Sequence, residues 1–208
     1  MHVSNTDGAP ARPERRTQAE RRAGTRAALL EAAARGLSRY GYSHVTLGQI
    51  ASDAGYTRGA LYHQFAGKEE LALAVVKWVA SSWEQEVWEP AQRHAEPAAI
   101  LLALARGHIV YCRRDVARVI MALRVEFAAR EHPVGTTIDR IITANAHRFA
   151  GLIDAGRASG TIPPGPPAEV MAIAGIGALE GLAIQVAGAT PDDEVLAERV
   201  MRGVLGIA

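Results

Sequence analysis

The segment VTLGQIASDAGYTRGALYHQFAGKEE, from Val45 to Glu70, constrains the fold of this chain more than any other segment. Thr46 stands where a helix N-cap is expected and Gln49 follows three residues later, so the two predict a capping box and a helix that begins at Leu47. Gly55 is predicted to end this helix, because glycine adopts left-handed backbone angles at little steric cost. Between these ends, apolar residues recur at helical spacing and give the helix one apolar face: Leu47, Ile50, Ala51 and Ala54.

A second short helix follows almost at once. Thr57 is its predicted N-cap, the helix runs from Arg58 to about His63, and Leu61 and Phe65 are its predicted core anchors. A third helix begins at Gly67, with acidic residues in its first turn, where the helix dipole favours them. Two helices joined by so short a link form a helix-turn-helix, the arrangement that places one helix in the major groove of DNA.

This segment resembles the DNA-binding signature of the TetR family of one-component bacterial repressors. The resemblance covers the segment and the helix before it. Two positions depart from the signature: Tyr56 stands at a turn position that usually holds a small apolar residue, and Gly67 stands where a Ser or Asn cap is common. Tyr56 is expected to alter how the turn sits on the phosphates. The matching residues are Thr46, Ile50, Ala51, Ala54, Gly55, Gly59, Ala60, Leu61, Tyr62, Phe65, Lys68, Glu69 and Leu71.

Side-chain chemistry predicts which residues bind DNA. Arg58 begins the second helix, from which side chains reach base edges, and arginine can pair with guanine through two hydrogen bonds. Gly59 lets the helix lie close to the bases. Phosphate contacts are predicted for side chains with hydroxyl, imidazole or ammonium donors, namely Thr46, Thr57, Tyr62, His63 and Lys68; the resemblance also implies this role for Tyr62 and Lys68. The alternatives are a solvated Arg58, a Tyr62 that serves only the core, and threonines that serve only as caps.

Charge is unevenly distributed along the chain. Residues 1–68 hold 10 Lys and Arg against 5 Asp and Glu, whereas residues 69–208 hold 13 against 17. A basic N-terminal part followed by an acidic remainder is expected of a protein that contacts DNA at one end only. Most of the excess comes from arginines in the tail and at the entry of the first helix, which either track phosphates or lie in a solvated arm: Arg12, Arg15, Arg16, Arg21, Arg22 and Arg26.

The fold class predicted from apolar periodicity is all-α, with about nine helices. We expect a mobile basic tail over residues 1–16, a helix-turn-helix domain over residues 17–67 and a helical effector-binding and dimerisation domain over residues 68–208. The sequence shows no strand signals, no repeats and no metal-spaced Cys and His residues. Besides the two short helices, the predicted helices cover residues 17–39, 68–89, 101–112, 116–130, 136–159, 168–186 and 192–207.

Several classes of protein are not expected. The longest stretch without charged residues, Tyr40 to Ser52, has 13 residues, whereas a membrane-spanning helix needs roughly 20. The N-terminus has no apolar run typical of a secretory signal, and the single cysteine, Cys112, excludes an internal disulfide, so a cytoplasmic location is expected. No nucleophile–base pair, phosphate-binding loop or paired carboxylates are found, so we predict no catalytic residue, no metal, no cofactor and no enzyme activity.

The resemblance implies a small-molecule pocket in the second domain. Pockets are mostly apolar with a few placed polar groups, so an apolar or amphipathic effector is expected. Each candidate lining residue could instead belong to the core or the surface. A charge on a core-facing turn needs a partner, so Arg124 and Glu180 could pair with each other or with a ligand. The candidates are Trp83, His108, Tyr111, Met121, Arg124, Phe127, His147 and Glu180.

Cys112 lies beside two arginines, Arg113 and Arg114. Their charges could lower the pKa of its thiol and make it a sensor of oxidants; the alternative is an ordinary buried cysteine.

The resemblance further implies a homodimer through the last two helices, about 168–186 and 192–207. The first of these is rich in glycine and alanine, which indicates a close approach of another helix, either from a second copy or from the same chain. The function implied is a cytoplasmic repressor that a small molecule releases from a palindromic double-stranded DNA operator. Activation in place of repression stays open, and the alternative function is an effector-independent architectural or accessory DNA-binding protein.

Overall fold

Nine helices and no strand make up residues 17–208, the part of the chain that the computed structural model describes. The all-α prediction is confirmed, while the prediction of a mobile tail over residues 1–16 lies outside the described residues. The helices are α1 (Gln18–His44), α2 (Leu47–Asp53), α3 (Arg58–Tyr62), α4 (Lys68–Trp83, continued by a π-helical turn over Glu84–Trp88 and a last turn over Glu89–Ala91), α5 (Pro97–Tyr111), α6 (Val119–Phe127, after a 3-10 turn over Asp115–Arg118), α7 (Pro133–Ser159), α8 (Ala168–Val186) and α9 (Asp193–Leu205).

Prolines explain two helix starts that differ from the sequence prediction. Helix α5 begins at Pro97 and helix α7 at Pro133, several residues before the predicted starts. Proline is favoured in the first helical turn, where its missing N–H would have no partner anyway. At α7 the Nδ1 atom of His132 also accepts a hydrogen bond from the backbone N–H of Val134 at 3.2 Å, which caps the helix. A proline that reads as a chain break therefore marks a helix start here.

Helix α1 extends past the predicted end at Arg39 because a kink lies inside its last turns. Gly41 has φ +73°, a left-handed conformation that side-chain-bearing residues rarely adopt. At the other end Thr17 and Glu20 form a complete capping box: the Glu20 N–H donates to Thr17 Oγ1 at 3.2 Å, and the Thr17 N–H donates to Glu20 Oε2 at 2.7 Å. The last turn of α1 beyond Gly41 is therefore reoriented relative to the rest of the helix.

The apolar face of α9 is offset from the one predicted. Leu196, Val200 and Val204 recur at four-residue spacing, which predicts one apolar face, but these residues are only half-buried. The residues that α9 buries are Asp193, Ala197, Met201 and Leu205. Small Ala197 and flexible Met201 fit the close contact with the neighbouring helices, and Met201 Cε lies 3.4 Å from where a Cβ on Gly175 would stand. The Leu196 face is left partly open to solvent.

One charged side chain, Asp193, is fully buried within the described residues. Its Oδ1 accepts a hydrogen bond from Arg113 Nη2 at 2.6 Å, and its Oδ2 accepts from Arg113 Nε at 3.1 Å and from the Gly188 N–H at 2.9 Å. The hydrogen bonds from Arg113 lower the pKa of Asp193 to about 2, outweighing the effect of burial. The carboxylate thus ties the start of α9 to the loop after α8 and the end of α5.

We expect Asp193→Asn to lower the free energy of unfolding at pH 7 by about 1–2 kcal/mol, because the hydrogen bonds lose their charge assistance. Since the folded-state pKa lies below the ordinary value of 3.8, this stabilisation is present above pH 3.8 and is lost as the pH falls towards 2. Urea unfolding at pH 7 and near pH 2 tests both statements. Exposed Asp192 provides the matched control, and equal losses in Asp192→Asn and Asp193→Asn would contradict the assignment.

Candidate functional site

The predicted DNA-reading unit is built by two threonine caps and a glycine turn. The Oγ1 atom of Thr46 accepts from the Gln49 N–H, and that of Thr57 accepts from the Ala60 N–H, each at 3.2 Å. Between Thr46 and Gln49 only this half of the predicted capping box forms. Gly55 has φ +76°, as its predicted role at the end of α2 requires. The caps and the turn fix α3 at an angle to α2 with its first residue, Arg58, on the surface.

Six of the seven predicted DNA-binding residues are exposed, and the seventh, Lys68, is half-buried. Tyr62 is 46% exposed, so it is not only a core aromatic. Arg58 Nη2 donates to Tyr62 Oη at 3.2 Å, and its guanidinium lies 5.5 Å from the centre of the Tyr62 ring. Arg58 and Tyr62 therefore form one exposed unit along α3. The exposed six are Thr46, Thr57, Arg58, Gly59, Tyr62 and His63.

Gly59 is not required by contacts within the chain. A Cβ atom built there would meet nothing closer than Thr57 Oγ1 at 3.8 Å, which is an ordinary contact. The position is helical and exposed, so a side chain would be tolerated by the fold. A close approach from outside the chain is thus the physical reason left for a glycine on this surface.

Two cations near α3 are partly engaged by the protein itself. Lys68 Nζ donates to the Ser43 carbonyl at 3.3 Å and lies 4.9 Å from the centre of the Tyr42 ring, and burial lowers its pKa. Arg26 Nη1 donates to the Gln64 carbonyl at 3.2 Å, with its guanidinium 4.4 Å from the Phe65 ring. Arg26 therefore supports the packing of α1 on the segment after α3 and contributes less to a DNA contact than its charge suggests.

A cavity of about 290 Å³ lies between helices α4 to α8. Five of the eight predicted ligand-binding residues line it, namely Trp83, His108, Tyr111, Met121 and Glu180. Most of the remaining wall is aliphatic, from residues such as Leu104, Ile120, Ile141, Ile142, Ile176 and Leu179. An apolar enclosure with a few polar groups is the usual form of a small-molecule site.

The other three predicted residues lie elsewhere. Arg124 and His147 line a separate groove of about 310 Å³ bordered by α7 and α8. Phe127 stacks on His132 with ring centres 4.3 Å apart and meets the Tyr42 ring edge-on at 5.2 Å. Helix α6 places Met121 on the cavity and Phe127, nearly two turns later, against α1. Both residues are large and apolar, so residue type alone did not show which of them lines the cavity.

Two ion pairs lie at the cavity wall. Arg124 Nη1 donates to Glu180 Oε2 at 3.0 Å, so the two charges pair with each other, one of the two predicted alternatives, and burial raises the pKa of Glu180 despite this arginine. Sequence reasoning missed the second pair, in which two nitrogens of Arg148 donate to the two carboxylate oxygens of Glu84, each at 2.7 Å. The Arg148 guanidinium also lies 3.3 Å from the centre of the Trp88 ring. Glu84 and Trp88 are the ends of the π-helical turn in α4, a feature often found at functional sites.

Three side chains on α4 and α5 form a hydrogen-bonded row on the cavity wall. Trp83 Nε1 donates to His108 Nδ1 at 3.2 Å, and His108 Nε2 lies 3.5 Å from Cys112 Sγ. Burial lowers the pKa of His108 to about 4 and raises that of Cys112 to about 12. The thiolate is the reactive form of cysteine, so these values favour the ordinary buried thiol over the oxidant sensor.

Helix α6 connects the cavity to the end of α1. Its first turns place Ile120 and Met121 on the cavity, and its last turn carries Glu126. Glu126 Oε2 accepts from the Tyr42 N–H at 2.5 Å, and Oε1 accepts from the Ser43 N–H at 2.8 Å and from Ser43 Oγ at 2.5 Å. These bonds hold the reoriented segment after Gly41, which leads directly into α2.

The comparisons with known proteins agree with this geometry. Residues 29–75, which contain the end of α1, the helix-turn-helix and the start of α4, match the sequence model of bacterial regulatory proteins of the tetR family. This segment of the chain is thus similar to the DNA-binding segment of the TetR family. The chain is 42% identical over 67 residues to the transcriptional regulator CymR and 45% identical over 62 residues to TtgR, both from Pseudomonas putida. These matches cover 32% and 30% of this chain and only 33% and 29% of the length of the two relatives.

Several solved structures share the fold of most of the chain. The structure of AibR in complex with isovaleryl coenzyme A and operator DNA has a TM-score of 0.74 at 23% identity, with 88% of this chain and 100% of that chain covered. FadR from Bacillus subtilis in complex with stearoyl-CoA has a TM-score of 0.72 at 18% identity, with 88% and 99% covered. At these identities the likeness establishes the fold.

Proposed function

We propose that this protein is a ligand-responsive transcriptional regulator of the TetR family that acts as a homodimer. In the simplest case it is a cytoplasmic repressor, and a small apolar or amphipathic effector releases it from a palindromic operator. The observation that carries the proposal is a physical connection. The helix-turn-helix, whose exposed second helix suits the major groove, leads into α4, which also lines the apolar cavity, and α6 bridges this cavity to α1. An effector-independent DNA-binding protein needs no such cavity, so its presence favours an effector over the architectural alternative.

In this proposal α3 reads the operator. Arg58 reaches base edges from the start of α3, and Gly59 allows the close approach. Phosphates are bound from both ends of the helix-turn-helix by the remaining predicted residues, Thr46, Thr57, Tyr62, His63 and Lys68. The division of the chain into a DNA-binding domain over residues 17–67 and an effector domain over residues 68–208 belongs to the same proposal, since α4 continues from one to the other.

The proposed dimer forms through α8 and α9. Four of the large hydrophobic residues exposed in the described chain lie on these helices: Val170, Ile173, Ile184 and Val195. Helix α8 is long and apolar enough, by length and composition alone, to cross a membrane, but core helices of other proteins pass the same test. Gly175 packs against α9 of its own chain, whereas a Cβ on Gly177 or Gly181 would meet nothing. These open glycines support the approach of a second copy.

Release from DNA follows from a change in spacing. Two α3 helices about 34–36 Å apart would match half-sites one helical turn apart. An effector that binds better to a conformation with a different spacing shifts the population off the operator. TetR-fold structures hold isovaleryl coenzyme A and stearoyl-CoA, so acyl-CoA thioesters are one candidate class for this cavity. The two carboxylates on its wall favour a less anionic molecule.

The test is a gel shift with DNA fragments that flank the protein's own gene, repeated over a salt titration. A specific shift, with Arg58 required for sequence preference, is the expected result. It would also supply the operator for a ligand-release screen. If the protein bound all fragments equally weakly, with a steep salt dependence and no preferred sequence, the target would lie elsewhere and the proposal of local regulation would fail.

Lys68→Ala should weaken binding to specific and unrelated DNA by a similar factor, because an ammonium on a phosphate carries no sequence information. The slope of log affinity against log salt concentration should fall by about 1. Lys77, exposed on the same helix, is the matched control, and Lys77→Ala should leave the slope unchanged. If Lys68→Ala changed sequence preference but not the slope, the phosphate assignment would be wrong.

A further inference from the structure

The row of Trp83, His108 and Cys112 fixes where the proton of His108 lies. The indole N–H of tryptophan can only donate, so the Nδ1 atom of His108, at 3.2 Å from Trp83 Nε1, must be an unprotonated acceptor. A neutral imidazole with a bare Nδ1 carries its proton on Nε2. Burial lowers the pKa of His108 to about 4, which keeps this ring neutral at physiological pH. His108 therefore offers an N–H donor at Nε2.

This donor has only a weak partner in the chain. The hydrogen-bond partner found for it within the described residues is Cys112 Sγ at 3.5 Å, and a neutral thiol is a poor acceptor. Burial raises the pKa of that thiol to about 12, so the stronger acceptor, the thiolate, does not form. By contrast, the Tyr111 hydroxyl on the same wall is engaged by the Val79 carbonyl at 3.0 Å and by Ser82 Oγ at 2.6 Å.

His108 lies on the cavity wall. The residue lines the cavity and keeps part of its area accessible, yet it is deep enough in the protein for its charged form to be strongly disfavoured. An oxygen of a bound molecule would be a better acceptor for the Nε2–H group than the sulfur it now has. A site that offers a donor with only a weak acceptor discriminates against analogues that carry no acceptor of their own.

The charges of the wall argue against an anionic occupant. Glu84 and Glu180 both line the cavity, and each already binds an arginine: Arg148 binds both oxygens of Glu84, and Arg124 binds Glu180, so neither guanidinium is free for an anionic ligand. Burial already raises the pKa of Glu180, so a further negative charge nearby would be costly.

We infer that the cavity binds a neutral, largely apolar molecule with an accepting oxygen, and that the Nε2–H group of His108 donates to this oxygen and selects for it. The inference rests on the proposed effector role of the cavity and narrows its ligand class. A carbonyl, ether or hydroxyl oxygen would each satisfy the donor. Such a molecule would place its apolar body against the aliphatic wall formed by α6, α7 and α8.

Three naphthalene probes of similar shape test the accepting oxygen and the charge of the ligand separately. 2-Acetylnaphthalene has a neutral carbonyl, 2-isopropylnaphthalene has no acceptor, and 2-naphthoate is an anion. Dissociation constants for the full chain, measured by equilibrium dialysis without DNA, should be about tenfold lower for the ketone than for the hydrocarbon. Naphthoate should bind most weakly. Tightest binding of naphthoate, equal binding of ketone and hydrocarbon, or no binding of any probe would overturn the inference.

Two variants assign the effect to His108. In His108→Phe an aromatic ring remains at this position but the N–H donor is lost. The preference for the ketone should therefore vanish, while the hydrocarbon binds about as before. In His108→Gln an amide N–H stands near the former Nε2 position, so part of the preference should return. Thermal unfolding without ligand verifies that both variants fold. An unchanged ketone preference in His108→Phe would refute the role of His108.

Release of operator DNA is measured separately with the same probes. If the ketone binds in a His108-dependent manner but leaves the DNA complex intact, the ligand class stands and the proposed effector role of the cavity fails. If His108 makes no difference to binding while a probe still releases DNA, the effector role stands and the assignment of the donor fails.

Discussion

Replacing Arg58 with alanine should lower affinity for the preferred operator by about 1–3 kcal/mol, roughly 5- to 150-fold, and relax specificity at one base position of each half-site. The reason is that a bidentate arginine–guanine pair discriminates strongly against the wrong base. A binding series over operator variants, each with one substituted base pair, measures both effects. Weak binding to unrelated DNA should change much less.

Tyr62→Phe is the matched control for this experiment. Arg58 donates to the Tyr62 hydroxyl at 3.2 Å in the free protein, so the variant keeps the ring and removes one partner of the arginine. We expect a loss of general affinity, from the proposed phosphate contact, with the base preference retained. If Arg58→Ala left sequence preference untouched, or if Tyr62→Phe abolished it, the base-reading role of Arg58 would be refuted.

Glu126→Ala should weaken the connection between the cavity and the DNA-binding helices. Its carboxylate accepts from two backbone N–H groups and one hydroxyl at the end of α1, and these groups lose their partner in the variant. We expect the free energy of unfolding to fall by about 1–2 kcal/mol, since water can replace part of the lost bonding at this half-buried site. We also expect an effector that fills the cavity to release DNA less effectively, because α6 no longer holds α1.

The measurements for Glu126 are urea unfolding and the effector concentration for half-release of DNA. Burial acts to raise the pKa of Glu126, but hydrogen bonds from Ser43 and Tyr42 outweigh it and hold the pKa below the ordinary 4.5. Its stabilisation is therefore present above pH 4.5 and lost as the pH falls below that value. Glu126→Gln, which keeps one accepting oxygen, should show intermediate values. Unchanged effector release in Glu126→Ala would exclude α6 as the connection.

Local signals made the helix-turn-helix predictable. Thr46, Gly55 and Thr57 act on backbone atoms within a few residues, so their roles follow from spacing alone and the structure confirms the helix starts at Leu47 and Arg58. The predicted bounds of α8, residues 168–186, also agree with the structure. Position on the helix faces was less predictable, as the offset face of α9 shows.

The cavity was only partly predictable because its polar groups meet through tertiary packing. Glu84 and Arg148 lie 64 positions apart, and no local pattern marks them as partners. Arg124 and Glu180 were identified because a charge on a core-facing turn needs a partner, a rule that applies to each residue separately. For Phe127 the same residue type suits a pocket wall and a helix contact equally, and only the path of α6 decides between them.

The neutral thiol of Cys112 has a consequence for what the cavity can bind reversibly. A thiolate beside a bound carbonyl or an activated double bond would be alkylated or would form an adduct, and the protein would then be blocked after one encounter. Because burial holds the pKa of this thiol at about 12, the sulfur is a poor nucleophile and remains a neighbour of the ligand. An electrophilic metabolite could then enter and leave chemically unchanged. The release of DNA would therefore be reversible and would decrease again when the concentration of the metabolite falls.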